Sequence, residues 1–312
     1  MQIITDSKIR SLGISPVECV DWVREAFLMK SECQLPPKVS LHPQGTDFIN
    51  TMPCILPPSY HTFGCKIVTR IKGQSPALNS EMMLFDTSTG RMTALINADW
   101  ITSARTGAVA ALAINTLSNS NARIYSFIGL GVIGHSVLDC LLATNCDRRI
   151  TIRLKRYKDH AESTMSRYAS FDNIDWEIAD SMEELVSGAD VVVSCITDAE
   201  GLLVEDTNLF KPGVLIVPVH TRGFQNCDTI FDKVFADDRA HVESSKYFNQ
   251  FRHFAEIGDV LSGRVIGRET DEERILSYNI GLGLHDVLFA NKLINRPPLI
   301  NHLIFMALQS AA

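Results

Sequence analysis

Two cationic side chains lie in segments of the chain that are otherwise apolar. Lys66 lies within "FGCKIV", and Arg105 lies in "ITSARTG", in the predicted first turn of a buried helix that continues through the apolar run 108–117. Removing an ammonium or a guanidinium from water is costly unless an anion meets it. The anion can belong to a ligand, because arginine binds a carboxylate through two parallel hydrogen bonds and a buried lysine can exchange a proton with a substrate. It can also be internal, and the candidate carboxylates are Glu81, Asp86 and Asp99.

A complete G-x-G-x-x-G turn, "GLGVIG", directly follows a predicted strand, 124–128, and opens a predicted amphipathic helix. This is the context that a dinucleotide-binding turn requires. Gly129 permits the tight turn, Gly131 lets a pyrophosphate approach the backbone, and Gly134 lets the helix pack closely against the strand. The pyrophosphate would lie on the amides of the helix N-terminus. The cofactor-binding residues predicted at this turn are Gly129, Gly131, Val132, Ile133 and Gly134.

The end of the next predicted strand, "ITIRL", bears on the choice between NAD and NADP. An NAD site usually ends this strand in an acidic residue that binds the ribose. Here Lys155 and Arg156 end the strand, and Lys158 follows closely. Cations suit the 2′-phosphate of NADP, so the pattern favours NADP over NAD. A solvated basic turn, or a ribose contact from Asp159, are the alternatives.

The elements that must position these groups form two parts of the chain with different patterns of secondary structure. The first third has a helix over 16–32 and then strand-like segments, with a hairpin turn at "DTSTGRM" in which Gly90 takes a positive φ. After the polar linker 119–121, strands and helices alternate. This alternation predicts the α/β class, with a doubly wound parallel sheet of Rossmann type beside an α+β domain. The predicted domains are a substrate-binding and dimerisation domain, 1–119 and 294–312, and an NAD(P)-binding Rossmann domain, 120–293.

The composition limits the class of partner. The 312 residues carry a formal net charge of −7, with a pI near 5.7, which argues against binding to nucleic acid or to an anionic membrane. The sequence has no apolar run of 18 residues and no signal-peptide core, so we predict a cytoplasmic protein. The eight cysteines form no C-x-x-C pair and the nine histidines show no zinc spacing, which predicts reduced thiols and no metal site.

Taken together and in this order, the motifs resemble the ornithine cyclodeaminase/μ-crystallin family. Members of that family carry a G-x-K strand, an L-x-D-x-x-T-G hairpin, a T-x-x-R-T-x-A helix start and a Rossmann glycine turn. The matching segments here are "FGCKIV", "LFDTSTG", "TSARTGA" and "GLGVIG". The resemblance extends to "PPKVSL" upstream and to "GLGLHDVLFA" near the C-terminus, so it covers nearly the whole chain.

The resemblance implies a homodimer and an NAD(P)-dependent enzyme that acts at the α-carbon of amino acids or on cyclic imines. By matched position, Lys66 is the active-site lysine near the substrate carboxylate and α-nitrogen, and Arg105 is the carboxylate-binding arginine. Arg156 aligns with an arginine that meets the 2′-phosphate in NADP-type members. Thr197 matches the loop that passes the cofactor, and Thr106, next to Arg105, is also assigned to cofactor binding.

One departure from the family pattern concerns the substrate. In ornithine cyclodeaminases the loop after the fifth strand reads roughly G-x-D-x-x-G-K-x-E, and its Asp is the proposed acid/base. This chain has "VHTRGFQNCD", with Arg222 at the Asp position. A guanidinium repels an ammonium, which disfavours ornithine and fits a second carboxylate, as in the siderophore-pathway dehydrogenases that form diaminopropionate. Alternatively, Arg222 points outward and pairs with Asp228 or Asp232.

The loss of that Asp also leaves the general acid/base open. His220 could take the role, since its ordinary pKa lies near neutrality, or it could be structural. Residues 49–51 read "INT", where many members place a further carboxylate-binding arginine. We therefore expect the substrate carboxylate to be held by fewer cations than in those members, or from a different side.

Three functions follow from these observations. The leading one is an NAD(P)-dependent oxidoreductase that transfers a hydride at the α-carbon of an amino acid, an N-substituted amino acid or an imine. The second is a redox-neutral ornithine cyclodeaminase-type ammonia lyase with bound NAD, which the loss of the Asp disfavours. The third is a μ-crystallin-like protein that binds NADPH and a ligand, which the presence of both Lys66 and Arg105 disfavours.

Overall fold

The computed structural model describes residues 1–145 and 147–296 of the chain. These residues divide into two units. Unit 1 comprises Met1–Glu18, Glu32–Thr102 and the described residues from Gly283 to Arg296. Unit 2 comprises Cys19–Ser31 and Ser103–Leu282. Within the described residues, no helix is long and apolar enough to cross a membrane.

Unit 1 is built on a mixed sheet in which, among the described residues, six strands lie in the order β1-β6-β5-β4-β3-β2. The pairing is antiparallel except between β1 and β6. The strands are β1 (Gln2–Ile4), β2 (Val39–Leu41), β3 (Phe48–Ile55), β4 (Thr62–Arg70), β5 (Leu78–Asp86) and β6 (Met92–Asn97). The helices that precede β2 are α1 (Asp6–Arg10) and α2 (Pro16–Met29).

The hairpin between β5 and β6 has the predicted turn. Gly90 has φ +67°, and its N–H donates to the carbonyl of Asp86. The Asp86 carboxylate accepts hydrogen bonds from the backbone N–H groups of Ser88 and Thr89 at 2.8 Å. The prediction of a positive φ at Gly90 is confirmed, and the Asp86 side chain is used in the turn.

Unit 2 is built on a sheet whose eight described strands pair only in parallel, in the order β13-β12-β14-β11-β10-β7-β8-β9. The strands are β7 (Ile124–Ile128), β8 (Ile150–Lys155), β9 (Ile174–Ala179), β10 (Val191–Ser194), β11 (Leu215–Pro218), β12 (Lys233–Ala236), β13 (Phe254–Glu256) and β14 (Ile275–Tyr278). The helices that follow α2 are α3 (Asp99–Leu117), α4 (Val132–Thr144), α5 (His160–Arg167), α6 (Met182–Val186), α7 (Ile257–Leu261) and α8 (Gly283–Ile294). The α/β class and the doubly wound sheet are confirmed.

The order of these strands places the cofactor turn. From β7 the chain adds β8 and β9 on one side, and then returns to add β10 and β11 on the other. In open α/β sheets, ligands bind beyond the carboxyl ends of the strands at such a reversal. Gly129, directly after β7, lies at this point, and Cys195 directly follows β10.

Helix α3 begins earlier than the sequence analysis predicted. It starts at Asp99, so Arg105 lies in its second turn and not in its first. The Asp99 carboxylate accepts the backbone N–H of Ser80 at 2.6 Å, which draws the helix start to β5. Further along α3, Gly107 allows a close approach to α4, because a Cβ there would lie 2.4 Å from the backbone carbon of Ser136.

The two units do not follow the predicted domain boundaries. Helix α8 lies in unit 1, whereas the prediction placed the chain up to residue 293 in the Rossmann domain. Its apolar residues pack on β3, β4 and β5 of the unit 1 sheet, so burial assigns the helix to that unit. The segment Cys19–Ser31 lies in unit 2, although the prediction placed it in the first domain. Within unit 2, Lys30 of this segment forms ion pairs with Asp238 and Glu256. Most of the predicted C-terminal return, 297–312, lies outside the described residues.

Candidate active site

Lys66 is fully buried in unit 1 and forms an ion pair with Asp286. Its Nζ lies 2.7 Å from the Asp286 Oδ1, and both side chains are 0% exposed. Lys66 lies on β4, opposite Met52 on β3 and Met82 on β5, and Asp286 lies in the first turn of α8. An internal carboxylate is therefore a partner of Lys66, but it is none of the candidates predicted from the sequence, which were Glu81, Asp86 and Asp99. Asp286 lies within "GLGLHDVLFA", and nothing in that local pattern pointed to Lys66.

Arg105 is buried in unit 2, at 5% exposure, against the backbone of the segment that follows β14. Its Nη1 donates to the carbonyl of Ile280 at 3.4 Å. Gly281, the next residue, has φ +93°, and a Cβ built on it would lie 1.4 Å from Nη1. The Gly281 N–H in turn donates to the buried carboxylate of Asp237. The guanidinium therefore occupies space that any other residue at position 281 would fill.

Replacement of Gly281 by alanine is expected to displace the Arg105 guanidinium. Two effects combine at this position: the left-handed backbone, which costs about 1–2 kcal/mol for a residue with a Cβ, and the collision with Nη1. If the guanidinium binds a substrate carboxylate, we expect KM to rise about tenfold or more, since a hydrogen bond to a charged group is worth about 1.5–3 kcal/mol. Steady-state kinetics with a carboxylate substrate measures this.

Gly263→Ala is the matched control for that variant. Gly263 also has a positive φ, +75°, but a Cβ there would meet nothing within 4 Å. It therefore carries the backbone strain without a collision. An equal rise in KM in both variants would contradict the role assigned to Gly281.

The glycine turn of unit 2 has the geometry that a dinucleotide needs. Gly129 has φ +89°, and a Cβ on it would lie 2.5 Å from the backbone carbon of Cys195. A Cβ on Gly134 would lie 2.3 Å from the carbonyl oxygen of Gly129, so α4 and β7 meet closely there. Gly131 caps α4 without a side-chain hydrogen bond and has open space where its Cβ would be. The first amides of α4 can therefore bind a phosphate group in that space.

The other residues assigned to the cofactor are distributed around unit 2 as follows. Val132, the first residue of α4, is 72% exposed beside the turn, and Ile133 is half-buried. Thr106 is buried on α3. Thr197 is exposed after β10, and its carbonyl oxygen accepts a hydrogen bond from Arg222 at 2.8 Å. Val132 and Thr197 are the two that are open to a ligand.

The basic corner after β8 is balanced by carboxylates. The Arg156 guanidinium donates to Asp180 and to Glu162, each at 2.5 Å, and stays partly exposed. The Lys155 ammonium donates to the carbonyl of Asp180 at 2.9 Å. Lys158 has φ +50°, and its Nζ lies over the ring of Tyr157. A ligand phosphate at this corner must therefore compete with Asp180 and Glu162 for Arg156.

His220 follows β11 and has a partner at each ring nitrogen. Its Nε2 lies 2.8 Å from the Ser194 hydroxyl, and its Nδ1 accepts the backbone N–H of Arg222 at 3.2 Å. The second contact makes Nδ1 an acceptor, so Nε2 carries the proton and donates to Ser194. Burial, with a smaller effect from the Arg222 charge, lowers the pKa of His220 to about 4. A neutral ring with both nitrogens in use joins the ends of β10 and β11, which favours the structural alternative for this residue.

Comparison with known proteins decides the family. The family model described as "Ornithine cyclodeaminase/mu-crystallin family" matches residues 2–296 of this chain. The chain belongs to this family. The resemblance inferred from the motifs is thereby confirmed.

Individual relatives are similar over most of their length. The nodulation efficiency protein NfeD of Rhizobium meliloti is 28% identical over 281 residues, 83% of each chain. The alanine dehydrogenase of Archaeoglobus fulgidus is 28% identical, in an alignment that covers 92% of each chain.

Two solved structures share the fold. The Δ1-pyrroline-2-carboxylate reductase of Thermococcus litoralis, solved with NADH and L-proline, superposes with a TM-score of 0.81 at 21% identity, over 94% of this chain and 96% of that one. An archaeal alanine dehydrogenase dimer with bound NAD superposes with a TM-score of 0.80 at 24% identity, over 96% and 98%.

Arg222, which the motif comparison placed at the position of the ornithine cyclodeaminase Asp, lies on the loop after β11. Its Nη1 lies 3.4 Å from the Asp198 carboxylate, and half of its side chain is exposed. The partners considered from the sequence are engaged elsewhere: Asp228 accepts the Tyr278 hydroxyl at 2.6 Å, and Asp232 lies 3.6 Å from Arg252. The alternative in which Arg222 points outward and pairs with Asp228 or Asp232 is therefore wrong in its partner, which is Asp198. The guanidinium joins the loops after β10 and β11 through Thr197 and Asp198 and keeps an exposed side.

Proposed function

We propose that the protein is an NAD(P)-dependent oxidoreductase that transfers a hydride at the α-carbon of an amino acid, an N-substituted amino acid or an imine. The observation that carries this proposal is the glycine turn at the strand-order reversal of unit 2, where Gly129 and Gly134 lie in close contact with the backbone and Gly131 leaves open space for a phosphate. The buried cations Lys66 and Arg105, at the matched positions of the family's active-site lysine and arginine, support it.

The proposed roles follow from charge. Arg105 binds the substrate carboxylate through its planar guanidinium, which fixes the α-carbon in orientation. Lys66 donates the proton that the nitrogen needs when a C=N bond becomes an amine, and takes it back in the reverse direction. The cofactor, when bound, supplies or accepts the hydride. The reduction therefore balances as imine plus hydride plus proton, giving the amine.

The residues of the glycine turn fit an NAD(P) cofactor. Gly129, Gly131 and Gly134 would hold the pyrophosphate against the first turn of α4, beside the exposed Val132. Thr197 and Thr106 remain predicted cofactor contacts. Of the two forms of the cofactor, we propose NADP, because Lys155 and Arg156, with Lys158 close by, stand where an NAD site usually has the acidic residue that binds the ribose.

Replacement of Arg156 by alanine tests the cofactor preference. We expect KM for NADPH to rise about 10- to 100-fold, with little change for NADH, because a charge-assisted hydrogen bond to phosphate is worth about 1.5–3 kcal/mol. Arg149→Ala is the control, since Arg149 is another exposed arginine beside β8 that pairs with an acidic residue, Asp175. If NADPH and NADH were affected equally by Arg156→Ala, the 2′-phosphate assignment would be wrong.

A substrate panel tests the function itself. The purified protein is incubated with amino acids, amino diacids and cyclic imines while the absorbance of NADPH and NADH is followed. Net turnover of cofactor supports the proposal. Ammonia release without net turnover would support the cyclodeaminase alternative, and tight NADPH binding without either would support a binding protein. Amino diacids belong in the panel because Arg222 keeps an exposed guanidinium side that suits a second carboxylate.

We also propose that the protein is a cytoplasmic homodimer whose substrate is a small amino or imino acid. The dimeric alanine dehydrogenase of the same fold supports the dimer. The acidic net charge of −7 supports the expectation that neither nucleic acid nor a membrane is a partner. Light scattering on the purified protein, at several concentrations, measures the oligomeric state.

A further inference from the structure

We propose that Asp286 is a positioning residue that keeps Lys66 protonated, and that this pair sets the upper pH limit of the reaction. The inference rests on the proposed function only for the reaction that Lys66 serves. The pairing itself is a property of unit 1, and it can be tested without substrate.

The ion pair is buried, so that water does not hydrate either charge. Both side chains are 0% exposed, and the Nζ to Oδ1 distance is 2.7 Å. Breaking such a pair leaves a buried charge without compensation, which typically costs about 3–5 kcal/mol. The charged state of Lys66 and the charged state of Asp286 therefore depend on each other.

The position of Asp286 in α8 favours its ionised form. It is the acidic residue in the first turn of a helix of 12 residues, Gly283–Ile294. The N-terminal amides of a helix carry a partial positive charge and stabilise an anion in the first turn. Since the carboxylate stays ionised, it stabilises the ammonium form of Lys66.

Two glycines let α8 come close enough for this contact. A Cβ on Gly64, two residues before Lys66 on the same face of β4, would lie 2.7 Å from the Val287 side chain, next to Asp286. A Cβ on Gly283 would lie 3.0 Å from the carbonyl oxygen of Met52 on β3. The glycine of "GCK" therefore has a physical role, which is to bring the α8 carboxylate to the lysine.

Other titratable and apolar groups lie around the pair. Cys54, on β3, has a thiol whose pKa is raised by its hydrogen bond with Cys33, by burial and by the nearby charges of Cys33 and Asp286, so it is neutral. His285, on α8, is buried directly before Asp286. Flanking Lys66 on β3 and β5 are the apolar side chains of Met52 and Met82. The carboxylate of Asp286 contacts the ammonium directly, at 2.7 Å.

The consequence is a direction of pH dependence. Reduction of a C=N bond needs a proton donor, and a lysine is a donor only while it is an ammonium. In the native protein the pair holds the proton on Lys66 into the alkaline range. Without the carboxylate, burial disfavours the charged form, and Lys66 loses its proton at a lower pH.

The test compares Asp286→Asn with the native protein across pH. We expect the alkaline limb of the kcat/KM profile for reduction to move toward neutral pH by one unit or more. Asp286→Glu, which retains the charge, is expected to keep the native limb with a kcat lowered about tenfold, because precise positioning is lost. An unchanged limb in Asp286→Asn would overturn the proposal.

Asn291→Ala is the matched structural control. Asn291 lies on α8 and donates a buried hydrogen bond of 2.8 Å to Thr62 on β4, so it joins the same two elements without a charge. We expect this variant to be less stable than the native protein but to keep the native pH limb. A shift of the limb in this control would mean that any loosening of α8 suffices, and would overturn the specific role of Asp286.

A titration without turnover separates this inference from the proposed function. Lysine side chains are labelled with ¹³C, and the Lys66 signal is assigned by its loss in Lys66→Met. We expect the Lys66 signal to titrate at a lower pH in Asp286→Asn than in the native protein. If the substrate panel shows no turnover, the proposed function fails while this titration still supports or overturns the pairing.

Discussion

Replacement of Lys66 by methionine is expected to lower kcat/KM by about 10³-fold, and to leave cofactor binding within about twofold of the native protein. Methionine retains most of the volume of the buried side chain and removes the charge and the proton. General acid–base catalysis by a positioned side chain contributes about 10²–10⁴-fold. The substitution leaves Gly129, Gly131 and Gly134 of the glycine turn unchanged, so the proposed cofactor contacts are kept. Stopped-flow hydride transfer and titration of NADPH fluorescence measure the two quantities.

The double variant Lys66→Met/Asp286→Asn separates catalysis from stability in that experiment. The single variant leaves the Asp286 carboxylate buried without its ammonium, and we expect it to lose about 3–5 kcal/mol of the free energy of unfolding. The double variant removes both charges, so it should regain most of that stability. It should not regain activity. If hydride transfer recovered together with stability, Lys66 would have a structural role only.

Replacement of Arg105 by lysine is expected to raise KM for the carboxylate substrate about 10- to 100-fold. Lysine keeps the positive charge but loses the planar fork that binds both carboxylate oxygens. The guanidinium lies between the Ile280 carbonyl and the space left by Gly281, and an ammonium cannot make the same set of contacts. The measurement is steady-state kinetics with one substrate that has an α-carboxylate and with its amide or ester.

Arg268→Lys is the control for the arginine variant. Arg268 is a second, largely buried arginine of unit 2, and its guanidinium donates to the carbonyls of Leu117, Thr270 and Glu273. We expect its replacement to reduce stability without a change in KM. If Arg105→Lys lowered the turnover of the acid and of its amide equally, the carboxylate would not be the group that Arg105 binds.

The Rossmann part of the fold could be predicted from local sequence because each of its signals is local. The strand Ile124–Ile128, the glycine turn and α4 follow one another within 21 residues, and the glycines have steric reasons that hold in any protein. The hairpin at Gly90 is local in the same way. The short strands Phe254–Glu256 and Ile275–Tyr278 could not be predicted in this way, because three or four residues show no period and their place depends on parallel partners elsewhere in the chain.

The sequence also identified Lys66 and Arg105 as buried cations, because their neighbours in the chain are apolar. It did not identify the groups that these side chains contact in the folded protein. His220 shows the same limit, since its neighbours in the chain do not reveal that Ser194 uses its Nε2. For Arg222, the acidic residues that follow it closely in the chain were the natural candidates, and the carboxylate that it reaches is Asp198, on the loop after another strand. Side-chain partners across parallel strands are set by sheet order and not by distance along the chain.

What the sequence determined by itself was therefore the type of each chemical group: a lysine and an arginine in apolar segments, and a glycine turn for a dinucleotide. Only the tertiary structure decided their partners, because these lie far away in the chain. Asp286 is 220 residues from Lys66, and Ile280 is 175 residues from Arg105. Each of these contacts depends on a glycine that has no Cβ where two elements approach, Gly64 for α8 and Gly281 for the guanidinium. Steric fit between distant segments is a property of the packed chain, and no local pattern carries it.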